Sequence, residues 1–345
     1  MLQALYSKYI IDGVPQELTP AGLLSQVMEK TPEPALPGGT VIDETIDPAP
    51  GPILPDPERI YDYIGALHGA ERELSVPFAA PCTRGRIAET LIDSMWRVGN
   101  FRLDDLALTA KWTFNPAKVG DMAAFYASVE SAADYIDALG ISLRRCACEN
   151  GTFGFRAASP FSGAPLLTEQ KLAPNPQSWI VYVPFDMADY RLGGSLFAQA
   201  LGLRGGKAPQ LLDADYFMDC FELVRELAVD GILLSACTVG AGGLAGALDK
   251  MCSPATGASV ELSDVLHSSG GAKAPEVLFS EVPGALLQVR DVDFDYIDAE
   301  FILQDVAYFP LGHPVPGGGL KISAADKPGI QTILESLMQN AEGED

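Results

Sequence analysis

The chain has 345 residues, and 46 acidic against 23 basic side chains leave a net charge of −23 at pH 7. That charge repels phosphate backbones and anionic lipid surfaces, which argues against direct nucleic-acid or membrane partners, and no apolar run reaches the roughly eighteen residues of a membrane span. The length exceeds what one hydrophobic core usually supports, so two packed units are expected.

The N-terminus, Met1 to Lys8, shows no basic region followed by an apolar stretch, so a cytoplasmic or nuclear location is expected by default. Cys82, Cys146, Cys148, Cys220, Cys237 and Cys252 have no C-x-x-C spacing, and His68, His267 and His313 have no partner at metal-ligand spacing. Reduced, mostly buried thiols and no metal site follow.

In chain order, Pro20 to Lys30 reads as an amphipathic helix, with Thr19 as cap and Pro20 at the first helical position. Thr31 to Pro57 carries a proline at short intervals, which denies helix interiors and sheet ladders and predicts a segment without regular structure. Residues 1–56 are therefore expected to form an N-terminal extension and proline-rich linker. Helical periodicity runs over Ile87 to Trp96, and Leu106 to Ala110 reads as a strand. A helix follows from Ala123 to Leu139, stopped by Gly140. Ile141 to Arg144 and Thr152 to Phe155 read as strands about a turn at Asn150-Gly151. Pro- and Gly-rich residues 159–177 mark a boundary between one unit at 57–165 and another at 170–330. Beyond it, Trp179 to Val183 is a strand, and Leu196 to Leu201 and Asp215 to Val229 are helices. Ile232 to Ser235 is a strand entering a glycine-rich turn, Leu244 to Met251 a helix, and Ala285 to Val289 a strand. Residues 331–345 form an acidic tail. Interleaved helices and strands predict an α+β class, with Leu108, Val181, Leu233 and Leu287 as buried strand positions.

Five short strings then recur in a recognisable order. They are Leu108-Thr109-Ala110-Lys111-Trp112, Gly120-Asp121-Met122-Ala123-Ala124-Phe125-Tyr126, Leu192-Gly193-Gly194-Ser195-Leu196-Phe197, Gly242-Gly243-Leu244, and Leu278-Phe279-Ser280-Glu281. In order and spacing, Arg84 to Val289 resembles the carboxy-terminal, aminoimidazole ribonucleotide synthase-like half of formylglycinamidine ribonucleotide synthase. The proline-rich segment resembles the region preceding that half. The resemblance implies a two-domain synthetase fold with a nucleotide and magnesium site, and the positions that would form it are altered. A glycine-lysine-aspartate-serine turn of the family aligns with Cys148-Glu149-Asn150-Gly151, which inverts the lysine charge at Glu149 and removes the carboxylate at Asn150. A histidine-aspartate-x-serine-aspartate-glycine-glycine-leucine turn aligns with Cys237-Thr238-Val239-Gly240-Ala241-Gly242-Gly243-Leu244, and its histidine and both carboxylates are absent. Glu281 survives, beside Val282 where the family has a second carboxylate.

Read without the family, Gly240 to Gly243 between a strand and a helix could offer backbone amides to an anion, but a tight turn is the commoner role. Ser195 after Gly193-Gly194 reads as a simple N-cap. Cys237 stands before a helix N-terminus, a place that can lower a thiol pKa, although no histidine is near in sequence to activate it. No catalytic residue and no resident cofactor are expected. Two function classes stand. One is a degenerate, non-catalytic domain that binds a protein partner, basic or chromatin-associated, as the resemblance to degenerate tegument homologues of gammaherpesviruses implies, with virion residence if viral. The other is a structural or auxiliary-nucleotide half of an active ATP-dependent purine ligase, for which ATP and magnesium would be the cofactors.

Overall fold

The computed structural model describes residues 2–28, 30, 40–99 and 101–324. The expected acidic tail at 331–345 and the prolines at 32, 34 and 37 lie outside the described residues.

Five strands form the largest sheet, in the order Leu233–Val239, Gly284–Arg290, Ser178–Pro184, Phe309–Ser323, Thr256–Glu261. Its pairs are antiparallel except the last, which is parallel. Successive side chains on a strand point to opposite faces. In Ser178–Pro184 this sends Val181 and Val183 into one core, and Ile180 and Tyr182 into another. Helices cover both faces, which explains why these strands read as apolar runs rather than as alternating ones. Leu233, Val181 and Leu287 are buried as expected, and so is Leu108.

A separate three-stranded sheet places Ala107–Phe114 between Ser142–Asn150, parallel to it, and Gly154–Ala158, antiparallel to it. The strands on either side of Asn150-Gly151 therefore do not pair with each other. Between the two sheets lie the helices Ala79–Met95, Asp121–Ala138 and Ala214–Val229, and one core runs through all of them. Thr83, on the first of these helices, bonds Ser128 on the second at 2.6 Å between hydroxyls. Ser128 also accepts from the Trp112 indole at 2.9 Å, so this buried polar cluster closes on itself. On the far face of the large sheet, Gly243–Met251, Ala274–Phe279 and Ile60–Leu67 enclose the second core.

The proline-rich segment is not wholly irregular. Val41–Glu44 is a strand lying parallel to Lys8–Ile11, which pairs in turn with Val14–Pro15. Its four residues lie between Pro37 and Pro48, so no proline interrupts the ladder. Glu44 then caps the Asp121–Ala138 helix, its carboxylate accepting from the Met122 and Ala123 amides, both at 3.1 Å. Leu5, Tyr9, Leu24 and Val27 are buried in the first core, so the N-terminal residues pack on the body of the protein. The helix there is short, Pro20–Leu24, with Thr19 as its cap as expected.

Candidate functional site: the glycine turn and its carboxylates

The strand Leu233–Val239 runs into a turn at Gly240 to Gly242 that opens the helix Gly243–Met251. Gly242 and Gly243 have φ of +81° and +65°, a region that side chains rarely enter. At Gly243 a Cβ would also lie 2.5 Å from the Ser280 carbonyl oxygen and 2.7 Å from that of Leu278. A Cβ at Gly240 would collide with the Glu89 carboxylate. The glycines are thus explained by close approach of the turn to its neighbours.

Those neighbours use the turn's amides. Glu281 Oε1 accepts from the Gly242 amide at 3.0 Å and from the Leu196 amide at 2.8 Å. Glu89 Oε1 accepts from the Ala241 amide at 3.2 Å. Arg72 lies between the two carboxylates, ion-paired to Glu281 Oε2 at 2.6 Å and to Glu89. The triad ties the 240–243 turn, the Ala79–Met95 helix and the start of the Leu196–Ala200 helix together, with Glu281 buried and Glu89 partly open to solvent. Burial by itself pushes the Glu89 carboxyl up, but the Arg72 guanidinium and the Ala241 amide outweigh it and hold the carboxyl below its usual range. Burial likewise opposes the Arg72 charge, and the two glutamates more than restore it. Cys82, beneath Gly194, is pushed up to about 11 by the same desolvation, with Glu281 adding to it.

Of the remaining expected site residues, Thr238 accepts a hydrogen bond from the Trp96 indole at 2.8 Å. Cys237 is buried, and desolvation pushes its thiol up to about 11. Burial outweighs the nearby Lys250 and Lys171, because the thiolate would lose its hydration. Ser195 caps its helix as expected, accepting from the Ala198 amide at 3.2 Å. Glu149, Asn150 and Gly151 lie at the end of a strand of the other sheet. Glu149 pairs at the surface with Lys111 at 2.7 Å, and the Gly151 amide donates to the Phe114 carbonyl at 3.2 Å. The structure thus gathers Gly240, Ala241, Gly242, Gly243 and Glu281 about one point and leaves Glu149 to Gly151 in a separate surface setting. Among the described residues no group of three or more histidine, cysteine, aspartate or glutamate side chains could hold a metal ion.

The cavity at the triad, bounded by Arg72, Cys82, Ser195 and Glu281, measures about 20 Å³, room for a water molecule and no more. On the other side of Glu89 an open groove of about 550 Å³ is lined by Thr90, Asp93, Lys171, Cys237, Thr238 and Lys250. Its cations are engaged or exposed: Lys171 donates to the Lys250 and Cys252 carbonyls. A larger cleft of about 820 Å³ runs past Phe78, Met187, Arg191 and Lys207. Asp186 forms part of its wall, accepting from the Leu212 amide at 3.2 Å, and burial pushes its carboxyl up to about 6.

Residues 180–295 match the family model described as AIR synthase related protein, C-terminal domain. The structure of Thermotoga maritima PurL complexed with FGAR superimposes with a TM-score of 0.52 at 14% identity, over 74% of this chain and 43% of that one. The fold is aminoimidazole ribonucleotide synthase-like. In sequence the chain is similar to human phosphoribosylformylglycinamidine synthase, 25% identical over 236 residues and 63% of this chain. It is 30% identical over 159 residues, 43% of the chain, to the Drosophila melanogaster protein of the same name. It spans only 17% and 12% of the length of these curated relatives, respectively.

Sequence reasoning picked out both Glu281 and the glycine turn. It missed Arg72 and Glu89. Neither lies in a motif, and Glu89 sits on the flank of its helix, a position that periodicity reads as solvent-facing. A buried Glu281 without a sequence-adjacent cation was the one signal that a partner had to come from elsewhere.

Proposed function

We propose that the chain is a degenerate, non-catalytic formylglycinamidine ribonucleotide synthase-like domain that acts as a protein-interaction scaffold, of the kind found in gammaherpesvirus tegument homologues. Its partner is a basic or chromatin-associated protein, met in the cytoplasm or nucleus. The observation that carries the reading is the Arg72–Glu89–Glu281 triad: the amides of Ala241, Gly242 and Leu196, which would face an anion, are filled by the chain's own carboxylates. A phosphate approaching that turn meets two anions and a cavity of about 20 Å³. Thr238 and Ala241 supply no anionic ligand, without which hard magnesium keeps its water.

Calorimetry of the full chain with ATP and magnesium tests this. No saturable heat is expected in the micromolar range. Micromolar binding that disappears in a folded Glu281→Ala variant would overturn the reading and favour the structural or auxiliary-nucleotide half of an active purine ligase.

A further inference from the structure

The helix Asp291–Leu303 is apolar on two opposite faces. Ile297 and Phe301 are fully buried, and Phe294 packs on Trp179 with ring centroids 5.4 Å apart. On the other side Val292, Tyr296, Ala299 and Leu303 stand at i, i+4, i+7 and i+11, the spacing of a single stripe on a helix. Val292, Tyr296 and Leu303 are 84%, 49% and 80% exposed, and Ile302 beside them is 66% exposed. Single exposed apolar residues are ordinary, but a stripe about 16 Å long is a patch.

The rim of the stripe is acidic. Asp291, Asp295 and Glu300 flank it on the helix itself. At the end of the Ala214–Val229 helix, Glu226 and Asp230 come close to Tyr296. Glu300 first, then desolvation, then these two carboxylates raise the phenol's pKa. Val229, which lies between them in sequence, is 56% exposed. The one basic side chain at the helix start, Arg290, is tied to Asp293 at 2.6 Å. Among the described residues nothing packs on this face.

We propose that this face is a docking surface for an amphipathic helix of a partner protein that carries an apolar stripe flanked by lysine or arginine. The apolar stripe supplies the seam, and the anionic rim selects for basic flanks and against acidic ones. A second copy of the chain is a poor occupant, because two such helices would set Asp295 and Glu300 against their own copies. The proposal rests on the scaffold reading for its purpose. The two tests report separately, since nucleotide calorimetry concerns the glycine turn and this face lies on another helix.

The probe is a labelled helical peptide with leucines at i, i+4, i+7 and i+11 and lysines between them, titrated into the full chain and followed by anisotropy. Saturable binding is expected, weakened about tenfold or more by Val292→Asp with Leu303→Asp, and unchanged by Leu212→Asp, an equally exposed site elsewhere. A glutamate-for-lysine peptide is expected not to bind. Equal affinity for the wild type and the double variant would overturn the proposal, as would binding of the acidic peptide. A dimer in light scattering that dissociates on Leu303→Asp would instead assign the face to a second copy. A loss of several degrees in Tm for the double variant would mean that the chain's own remaining residues cover it. Either result overturns the proposal.

Discussion

The glycine turn at Gly240 to Gly243 and the strand end at Glu149 to Gly151 each set a glutamate against a cation, in surroundings that differ in every respect that sets an electrostatic energy. At the turn, Glu281 is withdrawn from water, Arg72 and Glu89 are largely so, with side-chain accessibilities of 16% and 27%, and backbone amides donate to both carboxylates. At the strand end, Glu149 and Lys111 remain about half exposed, with side-chain accessibilities of 56% and 44%. Charges of the same kind are therefore integral to the first region and nearly incidental to the second. Placement relative to solvent decides how much each glutamate contributes.

The largest effect expected from breaking this contrast is at Arg72. Arg72→Met leaves Glu281 buried and Glu89 partly buried without a counter-charge and should destabilise the chain by roughly 2–4 kcal/mol in denaturant unfolding. The sign with pH follows from Glu89, whose carboxyl is held low in the folded protein. Its contribution is present at neutral pH and lost as pH falls through that depressed value. The gap between wild type and variant should accordingly narrow on acidification. Replacing the three together, Arg72→Met with Glu89→Gln and Glu281→Gln, removes the charges as a set and should recover part of the loss. A single variant no less stable than the wild type at pH 7 would show that the triad does not hold the turn.

Gly243→Ala comes next. The methyl would meet the Ser280 and Leu278 carbonyls at 2.5 and 2.7 Å in a left-handed backbone, and a cost of about 1–3 kcal/mol is expected. An unchanged Tm would mean that the turn can rearrange and is not fixed by its neighbours.

How far all this was legible depends on where the information resides. The strand Ser178–Pro184 declared itself because burial on both faces demands an apolar run. Phe309–Ser323 did not, because Pro310, Gly312, Pro314, Pro316 and Gly317 read as loop. It pairs nonetheless, inside the sheet between Ser178–Pro184 and Thr256–Glu261, with repeated register shifts that accommodate the prolines. Asp291–Leu303 was missed for the opposite reason: apolar on two faces, it has no single stripe for periodicity to find. At the site, Glu281 and the glycines stand in ordered strings, whereas Glu89 reaches them through the packing of the Ala79–Met95 helix against the large sheet, and Arg72 from the irregular segment that precedes that helix. Long-range ion pairs leave no local pattern.

Asp186 sharpens the comparison from another side, since it is a buried carboxylate served by amides without a guanidinium. Burial raises it to about 6, so the sign is the reverse of that for Glu89. Its share of stability is greatest when it is protonated and falls as pH rises from the unfolded value near 4 through about 6. Asp186→Asn keeps an acceptor for the Leu212 amide and cannot ionise. Relative to the wild type, it should therefore gain about 1–3 kcal/mol between pH 4 and pH 7. A difference that stays flat across that range would mean that Asp186 is hydrated enough to titrate normally.

The smallest effect belongs to Glu149. Its pair with Lys111 joins neighbouring parallel strands at the register Thr113–Glu149, where both side chains extend into water. An exposed pair gains little Coulomb energy, loses side-chain entropy and is screened by salt, so Glu149→Ala should change stability by less than about 1 kcal/mol. That shift should shrink further in high salt, because a Debye length of about 8 Å at physiological ionic strength already screens much of the interaction. A loss comparable to that of Arg72→Met would show that Glu149 has a buried partner beyond Lys111. The contrast between the two regions would then fail, because both would be held by charge removed from water.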